Sequence, residues 1–208
     1  MMKIGIIPGR YNPPTKGHLR LFKHALEDND LVYAIIIQGE KTGADLVRNP
    51  LPFELKKEII SRAEPKVLVG RHSPADIPAI ATKIIDSVLS YDKKYYFSIY
   101  VGSDRASKYA IQIKPKYVEQ IKRDLNDPDL DITFEIRALE RDESSKSVEG
   151  YSASKVRDAI RAGNDEKAMA MLAIDDEDIY ERIKGAILAG VKKEAVETKI
   201  NTILEELE

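Results

Sequence analysis

The residues best suited to chemistry lie near the amino terminus, in the run Gly9-Arg10-Tyr11-Asn12-Pro13-Pro14-Thr15-Lys16-Gly17-His18. Gly9 and Gly17 carry no Cβ that would hold an anion away from backbone N–H groups. Lys16 and His18 add directed side-chain donors, and Thr15 adds a hydroxyl. A second run, Tyr151-Ser152-Ala153-Ser154-Lys155-Val156-Arg157, offers two more hydroxyls and an arginine whose planar fork matches phosphate oxygens. Both runs are rich in donors and hold no pair of carboxylates. They suit the positioning of phosphate groups and the stabilisation of negative charge.

Such donors need elements to aim them. Residues 3–8 form an apolar run that stops at Pro8-Gly9, which reads as a buried strand ended by turn residues. A polar loop follows over 9–14. From Thr15 onward Leu19, Phe22, Ala25 and Leu26 are spaced as on a helix, with Thr15 as its N-cap behind two prolines that cannot lie inside it. The first donor run therefore sits past the carboxyl end of a strand and at a helix N-terminus, where free N–H groups and the positive dipole end favour anions. Further strands are expected over 31–37, 66–69, 95–101 (ending at Gly102) and 132–136, with helices over 52–63 and 77–89. This rhythm predicts an α/β fold, a Rossmann-like doubly wound parallel sheet of about five strands. After Ser152 the pattern is helical only, over 152–161, 165–172, 176–188 and 192–207. The expected division is an α/β domain over 1–162 and a helical C-terminal tail over 163–208. Residues 126–131 and 141–150 read as charged loops, the second being the better candidate for a mobile lid.

The 208 residues, 43% of them hydrophobic, suffice for one α/β domain with a substantial core. Lysine and arginine number 33 against 35 acidic residues, a formal charge of −2. No global basic footprint of the kind that binds DNA or anionic lipid results, so neither a nucleic acid nor a membrane is an expected partner, and any anion site must be local. The absence of cysteine removes disulfides, thiolate metal sites and a cysteine nucleophile. The short apolar start, broken at Pro8-Gly9, is too brief for a signal peptide or a membrane span, and the expected location is the cytoplasm. The composition leaves room for a homo-oligomer.

The first run resembles the opening motif of the nucleotidylyltransferase superfamily, Gly-x-Phe-x-Pro followed by [His/Thr]-x-Gly-His. Tyr11 stands where that motif has Phe, and Pro13 matches its proline. Thr15-Lys16-Gly17-His18 matches the Thr-x-Gly-His form of phosphopantetheine adenylyltransferases, while Arg10 and Lys16 are closer to the wording of archaeal-type nicotinamide mononucleotide adenylyltransferases. The late run is similar to the family's Ile-Ser-Ser-Thr-x-Ile-Arg, with Ala153 in place of one hydroxyl. Glu149-Gly150 echo the cytidylyltransferase form of this segment, yet its preceding Arg-Thr is absent, which favours ATP. Gly102-Ser103-Asp104 resembles the family's Gly-x-Asp, and Asn49-Pro50-Leu51-Pro52-Phe53 more faintly its Asn-Pro-Phe-Thr, where the family's following Glu-Arg is Leu55-Lys56 here.

The resemblance implies transfer of a nucleoside monophosphate from ATP or another NTP to a small phosphorylated acceptor, with release of pyrophosphate. Nicotinamide mononucleotide adenylyltransferase is the first reading, with pantetheine-phosphate adenylyltransferase or cytidylyltransferase behind it and a nucleotide-binding regulator without turnover as the alternative of another class. It implies that His18 meets the α-phosphate beside Thr15 and Lys16. Arg157, Ser152 and Ser154 would hold the β- and γ-phosphates, and Gly102 and Asp104 the ribose. Gly9, Arg10, Tyr11, Asn12, Gly17 and Lys155 complete the expected nucleotide contacts. Mg²⁺ would ride on phosphates and water, with no metal ligand from the protein.

Other residues read more plainly. Asp104 also fits an N-cap, His24 a packing or solvated position, and His72 an acceptor-side position at a strand end. Tyr95-Tyr96 and Ile35-Ile36-Ile37 read as core. Ser152-Ala153-Ser154-Lys155 and Lys41-Thr42-Gly43 fit the Ser-x-x-Lys and Lys-Thr-Gly pair of penicillin-interacting enzymes, but in the reverse chain order and without their export signal.

Overall fold

In the computed structural model, which describes residues 1–39, 45–73, 76–88, 93–139 and 151–207, strand β1 (Met2–Gly9) lies at the centre of a five-stranded sheet. Strands β2 (Leu31–Ile37), β3 (Val67–His72), β4 (Lys94–Gly102) and β5 (Asp131–Leu139) complete it in the order β3-β2-β1-β4-β5, every pairing parallel. The order reverses between β1 and β4, which opens a crevice past their carboxyl ends. Helices cover both faces, and for that reason the central strands read as nearly unbroken apolar runs. Ile4, Ile6 and Ile35 enter one core, with Ile77, Ile80 and Ile84 of α3 (Ile77–Ser87) and Ile121 of α5 (Pro115–Asp124). Ile7, Val32, Ala34 and Ile36 enter the other, with Phe22 and Ala25 of α1 (Lys16–Asp28) and Ile60 of α2 (Phe53–Ala63).

A third buried cluster joins Leu51 and the outer side of α2 (Leu55, Ile59) to α6 (Ala153–Arg161), α7 (Asp165–Met171) and α8 (Glu177–Leu207). Ser152, Asn164 and Asp176 accept N–H bonds in the first turns of these three helices. Ion pairs from Arg182 to Glu58 (2.8 Å) and from Arg62 to Asp176 (3.1 Å) tie the last helix to α2.

Several expectations are corrected. The segments 176–188 and 192–207 form one helix, running through Gly190. Glycine there suggests a break, but a Cβ on it would stand 2.4 Å from the Leu46 carbonyl oxygen, so it serves close packing. Strand β3 runs on to His72 because β2 offers ladder partners along its whole length. Between Gly102 and Asn126 lie two helices, α4 (Ser103–Ala110) and α5, that the sequence reading left unassigned. Gly102 occupies the N-cap position of α4 and Asp104 falls inside its first turn, so Asp104 is not the cap. Tyr96 is half-buried and its hydroxyl donates to Glu135, leaving Tyr95 alone of that pair in the core. The candidate lid over 141–150, the Lys-Thr-Gly run at 41–43, Glu149-Gly150 and Leu89 lie outside the described residues.

Candidate active site

The crevice at the strand switch holds a groove of about 1180 Å³. It is bordered by Gly9, Arg10, Tyr11, Asn12, Thr15, Lys16, Gly17 and His18 from the first donor run, by Gly102 at the end of β4, and by Ser152, Ser154, Lys155 and Arg157 at the start of α6. Apart from Asp104, whose side chain lies outside what is described, every residue expected to touch nucleotide borders one groove.

Thr15 organises the first wall. It is fully buried, with the extended φ and ψ of an N-cap (−125° and 167°). Its carbonyl accepts from Leu19 N–H (3.0 Å), its hydroxyl donates to the Tyr151 carbonyl (3.0 Å), and its own N–H donates to His18 Nδ1 (3.0 Å). The Thr15 hydroxyl oxygen also lies 2.9 Å from Nδ1; with the Thr15 N–H as donor, Nδ1 accepts and the neutral imidazole carries its proton on Nε2. His18 is thereby defined as an Nε2–H donor on the groove wall.

Tyr11 supports the same ring. Its backbone is in the left-handed region (φ 50°), and its buried hydroxyl donates to the Ile7 carbonyl. Its ring centroid lies 4.9 Å from that of His18 and 5.8 Å from that of Phe22. Burial holds the phenol well above its ordinary pKa, so it remains a donor. A Cβ on Gly9 would come within 2.9 Å of the Tyr11 ring, so Gly9 is required by this packing as well as by its place beside the groove. Asn12 is buried too, its carboxamide accepting from Leu51 N–H (2.9 Å) and donating to Asn49 (3.5 Å).

The opposite wall is looser. Ser152 and Ser154 hydroxyls lie 2.9 Å apart, Lys155 N–H reaches Ser152 Oγ at 3.3 Å, and Ser154 and Lys155 are exposed. Arg157 bridges the walls, its Nη1 donating to the Asn12 carbonyl. Its Nε is buried without a hydrogen-bond partner, and burial, with Arg161 behind it, holds the guanidinium below its ordinary pKa.

The sequence reading missed part of the rim. Arg48, Arg105 and Tyr100 border the groove, as does His24, read as a packing or solvated residue. His24 stands edge-on to Tyr100 and 3.4 Å from Glu27. Arg48 lies in a turn pinned from two sides, since Arg161 donates to the Val47 carbonyl (2.7 Å) and Gly190 packs on Leu46. No periodicity could have announced that contact. His72 ends β3 away from this rim. Lys56 is buried at 1% exposure in α2, and burial followed by the charge of Arg71 lowers its pKa to about 8.

The order of the sheet, the helix-capped histidine and the arginine on a late helix define a nucleotide-handling α/β protein. The chain belongs to the cytidylyltransferase-like family, whose model matches residues 6–159. Over 36 residues, 17% of the chain, it is 50% identical to a protein of Nitratiruptor sp. named "Probable nicotinate-nucleotide adenylyltransferase", and the match spans 20% of that relative. The fold is similar to a bifunctional NMN adenylyltransferase/ADP ribose pyrophosphatase of Francisella tularensis complexed with AMP and a manganese ion (TM-score 0.59, 14% identity, 99% of this chain and 56% of that one). It is also similar to a nicotinic acid mononucleotide adenylyltransferase of Plasmodium falciparum (TM-score 0.52, 14% identity, 87% of this chain and 98% of that one). At these identities the likeness is one of fold. No helix among the described residues is long and apolar enough to cross a membrane.

Proposed function

We propose that the chain is an adenylyltransferase that moves AMP from ATP to a small phosphorylated acceptor, a pyridine mononucleotide before any other, and releases pyrophosphate. The observation that carries this reading is the seating of His18, whose Nδ1 faces Thr15 while the ring borders the groove that Arg157 also lines. With Nδ1 taken up by Thr15, the far edge of the imidazole, Nε2, is the one left for a phosphate oxygen. The short curated match to a nicotinate-nucleotide adenylyltransferase favours the pyridine acceptor over phosphopantetheine.

An oxygen of the acceptor phosphate attacks the α-phosphorus as the bond to the β-phosphate oxygen breaks and pyrophosphate leaves. The nucleophile is anionic near neutral pH, so no general base is required, and the protein contributes positioning and charge stabilisation. His18 Nε2–H donates to the α-phosphate as charge grows there. Lys16 and the α1 N-terminus steady the same group, while Arg157, Ser152 and Ser154 hold the leaving phosphates. The buried Nε of Arg157 fits this role, since an unmatched N–H is costly until an anion accepts from it. Gly102, Asp104, Gly9, Arg10, Tyr11, Asn12, Gly17 and Lys155 are proposed as the remaining nucleotide contacts. Lysine, arginine and hydroxyl donors suit phosphate rather than a cation, so Mg²⁺ would be carried on the phosphate oxygens of the nucleotide.

The test is pyrophosphate release from ATP or CTP with Mg²⁺, against nicotinamide mononucleotide, nicotinate mononucleotide and phosphopantetheine. Release with ATP and a pyridine mononucleotide is expected. Preference for CTP would move the reading to the cytidyl branch, and nucleotide binding without turnover to a regulator.

A further inference from the structure

Residues 172 and 173, in the turn between α7 and α8, meet the chain where His18 is held. Leu172 forms an antiparallel backbone bridge with Thr15, and Ala173 N–H donates to the Pro14 carbonyl at 3.3 Å. Both residues are buried. The Thr15 N–H also donates to His18 Nδ1, so the tilt of the Thr15 peptide sets the imidazole's orientation. Pro13 and Pro14, just before it, have no N–H with which to secure the loop themselves. Support must come from outside the loop: Leu51 and Arg157 hold Asn12, and at Pro14 and Thr15 themselves it comes from the Thr15 hydroxyl on Tyr151 and from the bridge of 172 and 173.

The turn is itself a fixed support. Leu172 and Ala173 share a buried cluster with Leu55 and Ile59 of α2 and with Ile179, Tyr180 and Ile183 of α8, and Leu19 of α1 packs against it. We propose that Leu172 and Ala173 are positioning residues for His18, acting through the backbone of Pro14 and Thr15, so that the C-terminal helices set the geometry of the phosphate loop. The rate readout of this inference rests on the adenylyltransferase reading, whereas its spectroscopic readout does not.

Two measurements test it. Amide hydrogen exchange shows whether Ala173 N–H is bonded, and nitrogen-15 NMR of the imidazoles, three in all, shows which ring nitrogen of His18 carries the proton. In the wild type, the Ala173 amide is expected to exchange at least about 100-fold more slowly than an unstructured amide, and His18 to show the Nε2–H tautomer alone. Ala173→Pro deletes the donor, and Leu172, at φ −69° and ψ 153°, already has the conformation favoured before proline. A folded Ala173→Pro protein should show mixed His18 tautomers and turnover about 10- to 100-fold below wild type, with ATP affinity nearly unchanged. Ala173→Gly keeps the N–H and should retain the tautomer, with a rate within about threefold of wild type.

Wild-type tautomer and rate in folded Ala173→Pro overturn the proposal, as does an unprotected Ala173 amide in the wild type. Should Ala173→Pro fail to fold, exchange in the wild type decides: Ala173 and Thr15 amides opening together support the strap, and independent opening refutes it. If no acceptor supports turnover, the adenylyltransferase reading falls while tautomer and exchange still decide the positioning role.

Discussion

The two walls of the groove are built differently. On the first, Tyr11, Asn12 and Thr15 are at most 2% exposed, and the polar groups of Thr15 and the Asn12 carboxamide are matched inside the protein. On the second, Ser152 and Ser154 bond mainly to each other, and Ser154 and Lys155 face solvent. A donor held by buried neighbours keeps its aim while charge develops, whereas exposed hydroxyls and long cations can follow a ligand. On the proposed function, the first wall would serve the transition state and the second would grip the triphosphate before and after it.

The comparison is most easily broken at His18. His18→Ala should lower turnover roughly 10²- to 10³-fold while changing ATP affinity far less, read by single-turnover kinetics beside calorimetry. Wild-type turnover in that variant would remove the first wall's catalytic role. Arg157→Ala should instead weaken ATP binding itself, by roughly 10- to 100-fold, along with turnover, because in the proposed role the guanidinium would meet phosphates in the ground state too. An effect on turnover alone would make the walls equivalent.

Lys56 sharpens the contrast from outside the groove. Burial lowers its pKa from 10.5 to about 8, so the folded state holds the proton less tightly than the unfolded chain does. Lys56→Met should stabilise the protein at pH 7 by about 1–3 kcal/mol. Between pH 8 and 10.5 the unfolded chain holds a proton that the folded one has shed, so wild-type stability should rise relative to the variant and the gap should close. Paired denaturant titrations across that range check it, and a gap independent of pH would mean that the amine is well solvated. The smallest effect is expected at the second wall's cap. Ser152→Ala should cost about 0.5–1 kcal/mol in stability and a few-fold in ATP affinity, measured by denaturation and calorimetry.

Much of this was legible in the sequence because it depends on local spacing. The strand–loop–helix around residues 3–28, the Thr15 cap and the buried parallel strands follow from apolar period and from prolines that exclude helix. What was not legible depends on contacts between distant segments. Gly190 reads as a helix end until Leu46 is found against it, and nothing in the spacing of residues 46–48 announces that their turn is held by Arg161 and Gly190. Gly9 reads as a phosphate glycine, and the ring that requires its small size, Tyr11, folds back on it from a left-handed backbone that no spacing rule predicts. Helices α4 and α5 escaped because α4 buries little and α5 places one fully buried side chain, Ile121, in a polar stretch.

Thr15 bonds to a residue 136 positions away and bridges to another that is later still. The five strands among the described residues, by contrast, are all made once Leu139 has been added. During synthesis from the amino terminus the scaffold can therefore form before Tyr151, Arg157 and Leu172 exist, leaving the phosphate loop without its anchors. A truncated product that stopped in that interval would have strands in register and an unorganised His18. On the proposed function, adenylyl transfer would then wait for the helices that follow the sheet, so that chains stopped short of them would neither consume ATP nor compete for acceptor.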